Sequence, residues 1–274
     1  MLRRPSSLAS DADMPPLPLG CDAPSVMRRI MPDLYFINTP SSQMERHLNL
    51  LRRVETTSPL LHCQRAAHGP YSEFTICAFD DAQPGLLSKV CGTLAAHRVS
   101  IHTAFVFTTQ SHALHAALKE HFGEKESSRS IVLDTLFVSE PYGRSERAPS
   151  AALIARIKND IALVLKGETT VASRLAKTTR SRPAQQFFEI AATPDATGQF
   201  TIISLRTQST VGLLYRVTAA LAALELNINV AQINTENGET NDVFYVTSKG
   251  EPLDEETRAS LPQKLTSLLN NGSY

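Results

Sequence analysis

The chain has 274 residues, which is enough for about two domains of ordinary size, each with its own core. Lys and Arg together number 27, as do Asp and Glu, so the formal net charge is zero. A balanced chain has no strong attraction to nucleic acid or to an anionic membrane, and polyanion binding is therefore a poor expectation.

The cysteine and hydropathy patterns predict a soluble protein of the reducing cytoplasm. None of the four cysteines belongs to a C-x-x-C pair, and Cys77 and Cys91 lie in apolar runs, where a thiol packs as a small hydrophobe rather than acting as a nucleophile. We therefore expect no disulfides. No segment reaches the roughly 18 consecutive apolar residues of a membrane helix, and the N-terminal segment lacks the apolar core of a signal peptide.

The first part of the chain carries no candidate site. Residues 1–26 are rich in Pro, Ser and Ala and have little to bury, which predicts a disordered tail. In residues 27–58, two serines precede Met44, Leu48 and Leu51, which recur at helical spacing. This pattern predicts a capped amphipathic helix within a helical connector.

The rest of the chain, divided into residues 59–180 and 181–274, contains one pattern twice. Without a gap, nine positions of "VGLLYRVTAALAALELNINVA" (211–231) are identical to those of "PGLLSKVCGTLAAHRVSIHTA" (84–104), 127 residues earlier. Apolar periodicity around these stretches predicts the order strand, strand, helix, strand, strand, helix in each copy. We therefore predict an α+β fold of two ferredoxin-like domains in tandem, each with an antiparallel sheet covered on one face by helices.

Each copy ends in a helix, although a ferredoxin-like unit should end in a strand. The extra strand ahead of each copy, near residues 60–65 and 186–191, is predicted to take that last place at the sheet edge. Unpaired edges of such units commonly pair side by side, so we expect pairing between the two copies or a homodimer.

A turn before the first repeated helix suggests a ligand. Asp81, Pro84 and Gly85 follow the strand; the glycine allows close approach, the helix N–H groups attract a carboxylate, and the aspartate suits an ammonium group. Together these groups suit an α-amino acid. The same local pattern is also typical of an ordinary capped turn that binds nothing.

The histidines give no metal site. His112 and His115 could share one helix face, but His121 projects elsewhere and no further ligand is placed, so a solvated helix in a polar insert is the better interpretation. His97 and His102 are predicted to lie at a helix end and on a strand surface. We expect no metal and no cofactor.

Both copies resemble ACT domains, the small ligand-sensing modules of amino-acid metabolism. In the second copy, "GLLYRVTAALAAL", "NINVAQINT" and "NDVFYV" resemble the second ACT domain of the PII signal-protein uridylyltransferase family. Upstream, "MPDLYFINTPSSQMERHLNLLRR" resembles the segment that precedes the first ACT domain in that family. The resemblance covers roughly residues 27–270.

The catalytic motifs of that family are not found in this sequence. Its nucleotidyltransferase domain needs Gly-Ser followed by paired carboxylates, and here Gly272 and Ser273 are the only Gly-Ser pair; its HD domain needs His-Asp, and no histidine precedes an aspartate. We therefore expect a non-catalytic, amino-acid-sensing regulatory protein of nitrogen metabolism. Two alternatives remain: a fragment or subunit of a uridylyltransferase whose catalytic domains are encoded elsewhere, and an ACT scaffold or dimerisation module with empty sites.

The resemblance implies glutamine as the favoured ligand, a catalytic or PII-type protein as a partner, and two binding sites. In the second loop, Gln208 or one of its neighbours stands where the family has Asp, and Val211 stands where it has Pro. A carboxylate for the ligand's ammonium group is therefore missing there, and the first site is the better candidate. The residues implied for the first site are Asp81, Pro84, Gly85, Leu86, Ser100 and Ile101, and those for the second are Gln208, Gly212, Leu213, Asn227 and Ile228.

Overall fold

The computed structural model describes residues 22–54, 57–80, 84–109, 116, 130–142, 145–176 and 188–271. Eight helices and nine strands lie within these residues. The helices are α1 Ala23–Ile30, α2 Asp33–Asn38, α3 Ser41–Val54, α4 Leu86–Ala96, α5 Ala151–Leu165, α6 Val171–Leu175, α7 Leu213–Ala223 and α8 Glu255–Asn271. The strands are β1 Leu60–Arg65, β2 Ser72–Phe79, β3 Ser100–Thr108, β4 Ile131–Tyr142, β5 Ser145–Arg147, β6 Glu189–Pro194, β7 Thr201–Gln208, β8 Leu226–Glu236 and β9 Glu239–Ser248.

The strands form one sheet in the order β1-β2-β4-β3-β8-β9-β7-β6, with β5 added to β4. The pairs β6–β7, β7–β9 and β8–β9 are antiparallel. This order confirms the α+β prediction, and it places β1 and β6, the two extra strands, at the edges where the sequence predicts them. The two repeats pair within one chain through β3 and β8.

By compactness the chain divides into two units. The first comprises Met1–Cys63, Phe74–Asp80 and Phe107–Asp134, and the second comprises Gln64–Glu73, Asp81–Val106 and Thr135–Tyr274. The domain boundaries placed after residues 58 and 180 from the sequence stay predictions.

In the first unit, α1 packs on α3, and Tyr35 of α2 is fully buried and hydrogen-bonded to α3. The Tyr35 hydroxyl lies 2.9 Å from Nδ1 of His47, and its ring meets Phe107 edge-on at 5.3 Å. Burial, with smaller effects of Arg46 and His62, lowers the pKa of His47 to about 3, so this imidazole is neutral near pH 7. The structure confirms the connector helix as α3. It also begins α1 at Ala23, inside the stretch predicted as a tail, whereas residues 1–21 lie outside the described part.

In the second unit, the two repeated helices α4 and α7 pack against each other. Gly92 of α4 makes the approach possible: an added Cβ atom would lie 2.3 Å from Val171 Cγ1 and 2.8 Å from the Tyr215 ring. The carboxylate of Asp160 in α5 binds Nε2 of His97 at 3.0 Å, at the end of α4, as the helix-end prediction for that histidine requires.

The hairpin between β8 and β9 confirms the predicted Asn-Gly turn. Asn237 and Gly238 have φ angles of 52° and 80°, the left-handed conformation that two-residue hairpin turns require. Within the described part, no helix is both long and apolar enough to cross a bilayer. The predictions for His112, His115 and His121 concern residues outside the described part.

Candidate functional site

A cavity of about 480 Å³ lies in the second unit, in front of the N-terminus of α7. Its volume is within the range of pockets that hold small organic ligands. Residues of both repeats line it. They come from the loop before α7 and the start of that helix (Ser209–Tyr215), from α4 (Cys91, Ala95), from β3 and the residue before it (Val99–His102), and from the β8–β9 hairpin (Ile233, Thr235, Asn237, Gly238, Thr240, Asp242), with Tyr71 and Glu146 in addition.

The start of α7 presents backbone N–H groups at this cavity. Gly212 is the N-cap residue, with a φ angle of 82° that favours glycine, and no side chain caps the helix there. The Leu213 amide donates to the Thr210 carbonyl at 3.0 Å, which closes the loop into a turn. Amides in the first turn of a helix have no acceptor within the helix, so this end attracts an anionic group.

The wall contributed by the first repeat is built on β3 and α4. Ser100 and Ile101 are half-buried, and both line the cavity. Ala95 meets Gly212 closely, because a Cβ atom added to the glycine would lie 3.5 Å from the Ala95 Cβ atom. The small residue on each side keeps α4 near the start of α7.

His102 organises the rim of the cavity. Its Nε2 atom lies 2.8 Å from Ser139 Oγ and 2.9 Å from Glu146 Oε2, and its ring packs on Tyr71 at 4.8 Å. A serine–histidine–carboxylate relay needs the hydroxyl and the carboxylate on different ring nitrogens. Since both meet Nε2 here, the arrangement positions the imidazole and does not activate Ser139.

Asp242 of β9 is a buried carboxylate at the cavity, with 2% of its surface exposed. It accepts hydrogen bonds from the Thr240 hydroxyl and the Asn234 amide. Burial raises its pKa to about 7, and the hydrogen bond from Thr240 opposes that shift. This side chain is therefore close to its titration point near neutral pH.

The structure brings together only part of the predicted second site. Gly212 and Leu213 line the cavity. Gln208 is the exposed last residue of β7, and Asn227 and Ile228 lie at the start of β8. These three are not among the described lining residues.

The predicted first site is distributed differently from the sequence grouping. Gly85 is the N-cap residue of α4, with Pro84 before it and the buried Leu86 after it, and none of the three is among the described lining residues. Asp81 lies outside the described part. Ser100 and Ile101, which the sequence grouped with this loop, lie instead at the cavity of the second loop.

Sequence reasoning missed most of the polar lining of the cavity, including Tyr71, Glu146 and Asp242. Tyr71 follows a turn, and Glu146 lies on a three-residue strand, so no periodic pattern marks either one. Asp242 did carry a signal, because a charged residue interrupts the apolar alternation of its strand, as Asp134 does in the first copy. The loop before α7, residues 209–212, contains no carboxylate, but β5 and β9 supply this cavity with Glu146 and Asp242.

Comparison with known proteins finds several relatives that share one description. Bifunctional uridylyltransferase/uridylyl-removing enzymes are similar to this chain: that of Nitrobacter hamburgensis is 31% identical over 247 residues, which are 87% of this chain and 24% of the relative. The enzyme of Streptomyces coelicolor is 30% identical over 189 residues, 67% of this chain and 20% of the relative. The enzyme of Ralstonia nicotianae is 25% identical over 223 residues, which are 79% of this chain and 23% of the relative.

The chain thus spans about a quarter of the length of these relatives or less. The resemblance to this enzyme family that the sequence motifs indicate is confirmed for that portion. No family model matches the chain, and no solved structure matches it.

Proposed function

Because this chain is related over most of its length to one part of the bifunctional uridylyltransferase/uridylyl-removing enzymes, we propose that it is a regulatory module with two ACT domains that binds a free amino acid. L-Glutamine is the favoured ligand, and the amino acid binds in the cavity before α7. The module reports nitrogen supply to a catalytic or PII-type protein partner.

The observation that carries this proposal is the composition of the cavity. The uncapped start of α7 offers N–H groups to a carboxylate, while Asp242 and Glu146 suit an ammonium group. An α-amino acid has both charges a few bonds apart. Hydroxyl and amide side chains on the wall, such as Ser100 and Asn237, supply partners for a polar side chain of the ligand.

Regulation rather than catalysis is the proposed role of this portion. The relatives are enzymes, and the similar segment is at most 24% of their length. The Ser139, His102 and Glu146 contacts do not form a proton relay. The proposal has two versions. In the first, this module regulates uridylyltransferase catalytic domains, which belong to the same polypeptide or are encoded elsewhere. In the second, it regulates a separate partner protein.

Calorimetric titration of the purified chain with each of the twenty amino acids, at millimolar concentration, tests the proposal. Saturable binding of L-glutamine, with weaker or no binding of D-glutamine, is the expected result. If none of the twenty binds while circular dichroism shows a folded chain, the module is a scaffold with empty sites instead.

A homodimer is a further part of the proposal. Within the described part of the chain, β6 lies at one edge of the sheet and pairs with β7, so its outer backbone groups can pair with a second copy. Sedimentation velocity of the chain across a range of concentrations distinguishes a dimer from a monomer. The Asp195 amide donates to the Phe200 carbonyl in this hairpin, so the alternation of the ladder turns the Ala192 N–H away from β7. Ala192→Pro should therefore weaken the dimer if β6 forms the contact, since proline cannot donate to a ladder.

A further inference from the structure

The cavity wall has acidic side chains but no lysine or arginine among the described lining residues. Asp242 and Glu146 contribute the carboxylates. The N-terminus of α7 provides backbone N–H groups with partial positive charge, but no cationic side chain. A ligand with only negative groups would therefore place charge near two carboxylates without a compensating side chain.

The two carboxylates are not equivalent. Glu146 is 38% exposed, and its Oε2 atom is already 2.9 Å from His102 Nε2. Asp242 is 2% exposed, and its described partners are neutral groups, the Thr240 hydroxyl and the Asn234 amide. A buried carboxylate held by neutral donors gains more from a cationic partner than an exposed one that already has an imidazole.

We propose that Asp242 is the group that selects the ligand at this cavity, by accepting the α-ammonium group of an amino acid and excluding the same molecule without that group. This inference rests on the proposed function and adds the residue that reads the ligand's charge. The ligand's carboxylate binds at the start of α7, and its ammonium group binds Asp242. Free amino acids are accepted, and 2-oxo acids, dicarboxylates that lack an amino group, and nucleotides are rejected.

The position of Asp242 supports this assignment. Two hydrogen bonds within the β8–β9 hairpin fix its carboxyl group, so little side-chain freedom is lost on binding. The hairpin closes at Asn237 and Gly238, which line the same cavity. The ligand therefore contacts the hairpin at both its turn and its buried carboxylate.

The experiment compares L-glutamine with glutaramic acid, which is glutamine without its α-amino group. For the unaltered chain we expect L-glutamine to bind at least 30-fold more tightly than glutaramic acid in calorimetric titrations at pH 8. In Asp242→Asn the two ligands should bind within about threefold of each other, because glutamine loses its charge partner. Glu146→Gln should reduce the preference less than Asp242→Asn does.

Glu239→Gln is the matched control. Glu239 lies on the same strand, its side chain is exposed and paired with Arg206, and it is not among the described lining residues. The control should keep the full preference for glutamine. If Asp242→Asn keeps it as well, or if Glu146→Gln abolishes it instead, the assignment of Asp242 is wrong although the chain still binds an amino acid. If the unaltered chain binds neither molecule, the glutamine proposal itself is wrong.

A second measurement on the unaltered chain covers the case that Asp242→Asn does not fold. An ammonium group at Asp242 favours the ionised carboxylate, and burial holds the pKa of that group near 7 without ligand. Calorimetry at pH 6 in two buffers of different ionisation heat should therefore show proton release on glutamine binding, and almost none at pH 8. The inference is wrong if protons are taken up on binding at pH 6, or if no proton is exchanged at that pH. Other titratable or charged groups on the cavity or on the strands beside Asp242 are Tyr71, Cys91, His102, Glu146, Tyr215, Arg206 and Glu236.

Discussion

Gly212 faces Ala95 across the repeats: a Cβ atom added to the glycine would lie 3.5 Å from the alanine Cβ atom. Gly85 faces Ala222 in the corresponding way, at 3.8 Å. The two glycines are 127 residues apart, and so are the two alanines. Each repeat thus places the start of its helix against the end of the other repeat's helix, and a cavity at one helix start is lined by both repeats.

This relationship predicts the effect of filling the cavity from α4. Ala95→Leu adds three carbon atoms at a lining position without changing Gly212, and we expect at least tenfold weaker binding of the amino acid. Ala222→Leu is the matched control, because it makes the same change at the corresponding position, which is not among the described lining residues. Calorimetric titration of both variants tests this. Equal weakening by the two variants would contradict the location of the site.

The helix contact at Gly92 predicts an unusual cost for alanine. In most helices Gly→Ala is stabilising by about 1 kcal/mol, but here the new Cβ atom would lie 2.3 Å from Val171 Cγ1. We expect Gly92→Ala to lower the free energy of unfolding by about 1–3 kcal/mol, as overpacking does. Urea denaturation measures it.

Removal of the clashing atom provides the internal control for Gly92. Val171→Ala deletes Cγ1, so the double variant Gly92→Ala/Val171→Ala should be more stable than the sum of the two single effects predicts. Some destabilisation should remain, because the Tyr215 ring is also within 2.8 Å of the added atom. Strictly additive effects would mean that the α4–α6 contact is not close.

The ion pairs of Asp160 should contribute to the stability of the second unit. Its two oxygens bind His97 at 3.0 Å and Arg174 at 3.1 Å, and its side chain is 13% exposed. Asp160→Asn removes the charge but nearly keeps the shape, and we expect it to lower the free energy of unfolding by about 1–3 kcal/mol, since it leaves Arg174 without this carboxylate. Glu225→Gln, at an exposed position outside the cavity, is the control. Asp254→Asn is less suitable, because Asp254 accepts hydrogen bonds from Thr257.

The buried acids predict how stability depends on pH. Burial raises the pKa of Asp242 from 3.8 to about 7, so the native state holds this proton more strongly than the unfolded chain does. Without ligand, its contribution to the free energy of unfolding is present below about pH 4 and is lost as the pH rises to about 7. Asp242→Asn should therefore be as stable as the unaltered chain near pH 4 and more stable at pH 8.

Asp134 in the first unit should make stability depend on pH in the same direction as Asp242 does. It is fully buried, neither carboxyl oxygen accepts a hydrogen bond within the described residues, and burial, together with the charge of Asp80, raises its pKa well above the ordinary value. Asp134→Asn should likewise gain stability over the unaltered chain as the pH rises. Thermal unfolding from pH 4 to pH 8 measures both variants. A difference from the unaltered chain that does not change with pH would contradict this account.

The elements were predictable from the sequence because their signals are local. Leu86, Val90 and Leu94 recur at helical spacing, and the Asn-Gly pair at 237 and 238 marks the hairpin turn. The sheet edges followed from the order of elements in the repeat. Such signals depend only on neighbours a few residues apart.

The composition of the cavity was not predictable in the same way. Ser100 lines the same cavity as Gly212 because β3 and β8 are neighbours in the sheet and α4 packs on α7, and such proximity between distant segments has no local signal. The sequence grouped Ser100 with the loop of its own repeat. Tyr71 and Glu146 reach the cavity from a turn and a short strand, where no periodicity reveals which way a side chain faces.

The most direct test of the central claim follows the Gly212 amide while an amino acid is added. Val-Gly occurs once in the sequence, at residues 211 and 212, so carbonyl-13C valine combined with 15N glycine gives a single NMR signal for Gly212. Thr-Gly also occurs once, and provides Gly198, which lies in a turn outside the cavity, as the reference. Addition of L-glutamine should shift the Gly212 signal in a saturable manner and leave that of Gly198 unchanged. Saturable binding by calorimetry with no change at Gly212 would contradict the claim that the amino acid binds at the start of α7.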